Sequence, residues 1–62
     1  MSKEGKALLD RMDDAYDAGG VFVRYGTPDE QLVAEIKQFY HIEITQLTPH
    51  GQVVRAGRGI GD

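Results

Sequence analysis

The sequence predicts an α+β domain in the order α-β-α-β-β, with two helices on one face of a three-stranded sheet that ends in a β-hairpin. Three observations predict it. Apolar residues recur at helical spacing over 7–18. A helix-start signal stands at Thr27-Pro28-Asp29-Glu30. Residues 41–48 then alternate with period two, ahead of a turn and a second β-rich run.

The first helix presents Leu8, Leu9, Met12, Ala15 and Tyr16 on one face, and Gly19-Gly20 ends it. Val21-Phe22-Val23-Arg24-Tyr25 is β-branched and aromatic, so it reads as a strand, with Gly26 as punctuation. Next, Thr27 is expected as N-cap, Pro28 at the first helical position and Glu30 at N3, a capping box. That helix is expected to reach Tyr40 and to bury Leu32, Val33, Ile36, Phe39 and Tyr40. The last two strands, joined by Pro49-His50-Gly51, make a hairpin over 42–56. If the first two strands are parallel neighbours, the second helix is their right-handed crossover.

The chain is expected to form one domain over 1–62, with flexible termini at 1–5 and 58–62. Its 62 residues include no cysteine, which excludes disulfides, thiolate metal sites and thiol nucleophiles. A chain this short buries only about 60% of its unfolded surface, so it leans on a tight core or a partner. At 40% hydrophobic and 27% charged it has the composition of a folded domain, without an apolar run of membrane-spanning length. No apolar segment follows Lys3 and Lys6, so a signal peptide is not expected and the cytoplasm is the expected compartment.

The net charge of −3 is unevenly placed. Residues 1–20 and 21–50 each carry −2, and residues 51–62, with Arg55 and Arg58 against Asp62, carry +1. An acidic body with a faintly basic end is a poor footprint for general nucleic-acid binding.

Two surfaces stand out. Setting successive residues about 100° apart puts Asp10, Asp13, Asp14 and Asp17 on the helix side opposite Leu8, Met12 and Tyr16. Aspartate is a mediocre helix former and the four repel one another, so the row suits docking on a basic partner or imitating a nucleic-acid backbone. A sheet covered on one side also leaves Phe22, Leu47 and Val54 facing away from the helices, with Tyr25 near the edge. A solubilising helix face and a small second core under the C-terminal tail, with Ile60 folded back, are the plainer readings of these two features.

Other chemistry is weaker. The hairpin, with His50 at its tip and Arg55 and Arg58 behind it, resembles in outline the wing of winged-helix DNA binders. That fold needs a further helix before the hairpin, and residues 27–41 hold only one. His41, Glu43 and His50 would make a two-histidine, one-carboxylate set with nothing else in support. The run Gly57-Arg58-Gly59-Ile60-Gly61 feeds no helix, so it lacks the N–H groups of a phosphate cradle.

The expected function is therefore a small non-catalytic protein-binding module: an inhibitor, adaptor or accessory subunit, of a kind viral and mobile-element genomes encode. No catalytic residues, metal or cofactor are expected. The expected partner is a larger protein or complex with a basic surface, with a homodimer as a further option and no membrane involved. The runner-up is a small nucleic-acid-binding regulator that uses the 42–56 hairpin as a wing through Arg55, Arg58 and His50.

Overall fold

The computed structural model describes residues 1–59, with side chains as far as Gly57. The elements are α1 (Lys3–Asp14), a 3-10 turn (Tyr16–Ala18), β1 (Val21–Arg24), α2 (Pro28–Ile36), β2 (Tyr40–Leu47) and β3 (Gly51–Gly59). The expected order α-β-α-β-β and the two-helix, three-stranded α+β architecture are present.

α1 begins four residues before its expected start, because Ser2 caps it: the Ser2 hydroxyl accepts the Gly5 N–H at 3.0 Å. Residues 3–5, expected to be flexible, are thus its first turn. Leu8, Leu9 and Met12 are buried, and Gly5 lies so close to α2 that a side chain there would run into Glu35. Beyond Asp14 the helix tightens into the 3-10 turn, where Asp13, Asp14 and Asp17 favour helix weakly. The Gly19 and Gly20 N–H groups donate to the Tyr16 and Ala15 carbonyls, so the glycine pair closes the helix as expected.

α2 starts where expected but without the capping box. Thr27 occupies the N-cap position, yet its hydroxyl donates back to the Arg24 carbonyl at 2.7 Å and bonds none of the helix N–H groups. Pro28, with its fixed φ and no N–H to satisfy, carries the helix start instead. α2 ends at Ile36 rather than Tyr40, so Phe39 falls in a turn and is 46% exposed instead of buried.

The strand order is β1-β3-β2, all antiparallel pairs. The first two strands are therefore not neighbours: β3 lies between them, and the crossover through α2 skips over it. Central placement suits β3, whose Val54 and Ala56 are 0% and 4% exposed. Val54, expected to face away from the helices, is core. It stands opposite Val21 on one side and Ile44 on the other, beneath a helix layer in which α1 packs on β3 and α2 on β1. The core is Leu8, Leu9, Met12, Val23, Val33, Ile36, Val54 and Ala56, with Val21, Leu32, Tyr40 and Ile42 against it.

β3 runs on through Gly57–Gly59, where a loose tail was expected, and Gly59 stands opposite Tyr40. The expected fold-back of Ile60 lies outside the described residues.

Candidate protein-docking surface

Asp10, Asp13 and Asp14 project from α1 and all three are exposed. Asp17, also exposed, belongs to the 3-10 turn, so the expected row on a single helix is three aspartates on a helix plus one beside it. None of the four takes part in an ion pair among the described residues. Arg11, in their midst along the chain, pairs across to Asp29 of α2 at 3.7 Å. Asp10, Asp13 and Asp14 thus carry no ion-paired charge among the described residues, while α1 is tied to α2 through Arg11.

Between the buried Val54 and Ala56, Arg55 must point to the opposite face of the sheet. There its Nε and Nη2 donate to Glu43 Oε2 at 3.1 and 2.9 Å, and its guanidinium lies 4.6 Å from the centroid of the Tyr16 ring. The hydrogen bond to Glu43 chiefly, then the charges of Glu43, Tyr16 and Asp17, hold the guanidinium more firmly protonated than usual. Arg55, a candidate nucleic-acid contact, is accordingly engaged inside the sheet.

Thr45 adds a second tie at this place, donating to the Gly19 carbonyl at 2.6 Å. Gly20, with φ of 109°, crosses so close to Val54 that any Cβ would meet its carbonyl. The segment 16–20 is thereby bound to the face of the sheet that α1 and α2 leave uncovered.

The apolar residues assigned to that face divide. Phe22 belongs there: it stands opposite Val53, its ring tip occupies the space a Gly51 side chain would need, and it is 47% exposed. Leu47 does not. It stands opposite Gln52, which on its other side faces the buried Val23, so Leu47 projects on the helix-bearing side and is 70% exposed. The cause is a register shift between Ile44 and Gln46, where Thr45 is an extra residue that reverses the alternation beyond it. Ile44, on the same side, is 56% exposed. The helices stand over β3 and β1, leaving this part of β2 bare.

Tyr25 is 42% exposed just past β1, and its N–H donates to the His50 carbonyl at 3.0 Å. The hairpin tip is held by Thr48, which sequence reasoning missed. Its hydroxyl bonds the Gly51 carbonyl at 2.9 Å and receives the Gly51 and His50 N–H groups at 3.1 and 3.3 Å. A threonine three residues before a turn glycine is the signal that was there to find. His50 is exposed at this tip, at the far end of β2 from His41, so His41, Glu43 and His50 do not come together. The side chain of Arg58 lies outside the described residues. No group of three potential metal ligands occurs among the described residues, and no helix among them is long and apolar enough to cross a membrane.

In comparisons with known proteins, the chain matches no family model, no curated protein and no solved structure.

Proposed function

We propose that this chain is a small non-catalytic protein-binding module, an inhibitor, adaptor or accessory subunit. It docks on a basic surface of a larger protein through Asp10, Asp13 and Asp14 of α1, with Asp17 alongside. The observation that carries the reading is the exposed aspartate row, which makes no ion pair among the described residues. Four like charges within eight residues disfavour the helix that bears them, and a cationic partner relieves that repulsion. The acidic row is preferred over the hairpin because Arg55 is bound to Glu43 and stacked on Tyr16.

The test is reversal of Asp10, Asp14 and Asp17 to Lys in the full chain. Protein captured by the immobilised wild-type chain from a lysate of its source is to be released by salt and not retained by the variant. Capture that survives both changes ends this reading. Retention of a nucleic acid instead, lost on Arg55→Ala, replaces it with the hairpin-based one.

A further inference from the structure

We propose that the free edge of β2 pairs antiparallel with β2 of a second copy of this chain, about a two-fold axis at Ile42. This interface is separate from the aspartate row and does not depend on it. β2 hydrogen-bonds β3 on one side only, which leaves the outward N–H and C=O groups of an eight-residue strand unpaired by the sheet. Natural edges are commonly blunted by Lys or Pro. Tyr40–Leu47 contains neither; of the two register shifts along its pairing with β3, the one between Tyr40 and Ile42 places its extra residue on β3, and the one at Thr45 comes after Ile44. The other edge strand, β1, has only four residues.

The second copy is specified by the residues that such an axis brings opposite each other. With Ile42 opposite itself, His41 of each copy meets Glu43 of the other, and Tyr40 meets Ile44. His41 is exposed, and by alternation it shares with Glu43 the face away from the helices. Glu43 receives both Arg55 bonds on Oε2, and no hydrogen bond among the described residues takes up Oε1. An imidazole N–H from the second copy is a fitting donor for that oxygen. On the helix-bearing face, the half-buried Tyr40 would lie over Ile44, which is 56% exposed in the single chain.

Neighbouring registers fit worse. An axis at Glu43 sets Glu43 against itself, and one at His41 sets His41 against itself, each placing like groups in direct opposition. An axis at Ile44 would run the pairing through the Thr45 irregularity. Only the axis at Ile42 matches donor to carboxylate twice and apolar to apolar at each remaining position.

Sedimentation equilibrium of the full chain, with its 6.9 kDa monomer mass as reference, tests this up to about 1 mM, since so short a seam gives a weak dimer. The expected result is a mass rising toward twice the monomer, with nuclear Overhauser contacts between His41 and Glu43 of different copies in a mixed isotope-labelled sample. His41→Glu opposes two carboxylates twice and is expected to weaken dimerisation by about fivefold or more, whereas His41→Lys retains it. Ile44→Lys, at an exposed edge position, should give a folded monomer by circular dichroism. A wild-type chain that stays monomeric throughout leaves the edge to some other strand and overturns the proposal. So does a dimer indifferent to His41→Glu.

Discussion

The backbone N–H of Ser2 donates to Oε1 of Glu35, joining the first turn of α1 to α2 across thirty-three positions of chain. The same Ser2 caps α1 with its hydroxyl, so one residue fastens the helix start both to itself and to its neighbour. The bond from Ser2, helped by the positive N-terminus, holds the Glu35 carboxyl below its ordinary value of 4.5.

A lowered carboxyl pKa links stability to pH in one direction. The stabilisation from ionised Glu35 is fully present above its unfolded-state pKa and is lost as pH falls through the lower folded-state value. Glu35→Gln should therefore lower the urea midpoint at pH 7. The gap between variant and wild type should close as the pH is taken below about 4, near the unfolded pKa of a glutamate.

Arg55→Lys keeps the charge but not the fork of N–H groups that reaches Glu43, nor the flat group that stacks on Tyr16. It should behave more like Arg55→Ala than like wild type in thermal unfolding. In a double-mutant cycle, Arg55→Ala and Glu43→Ala should be non-additive, the second change costing less once the first is made.

Gly20→Ala would push a methyl group into the Val54 carbonyl in a backbone conformation that L-residues avoid. A loss of about 2 kcal/mol or more is expected, because neither the clash nor the φ can relax while the β1–β3 pairing stands. Thr45→Val, which removes the bond to the Gly19 carbonyl next door, should cost about 1 kcal/mol. Urea unfolding of both variants measures the difference.

Ile36 is fully buried and Phe39, three residues on, is nearly half exposed. Truncating Ile36 to Ala should cost about 2–5 kcal/mol, enough to unfold much of so small a domain. Phe39→Ala should move the urea midpoint far less, although helical spacing alone places both residues in the core.

What the sequence determined by itself was the identity and order of the elements. Helical spacing at Leu8, Leu9 and Met12, the proline at Pro28, the alternation around Ile42 and the turn at Pro49-His50-Gly51 are local signals, each complete within a few residues of chain. The exposed aspartates were legible for the same reason, since a residue on the polar side of an amphipathic helix meets no tertiary competitor. Contacts between segments distant in the chain settle which strand lies in the middle, which face Val54 and Leu47 occupy, and that Arg55 is engaged. Antiparallel pairing of β1 with β3 is a contact between distant segments, and no local pattern encodes it. The extra residue at Thr45 then reverses the alternation beyond it, so a strict period of two carried past that point assigns Leu47 to the wrong face.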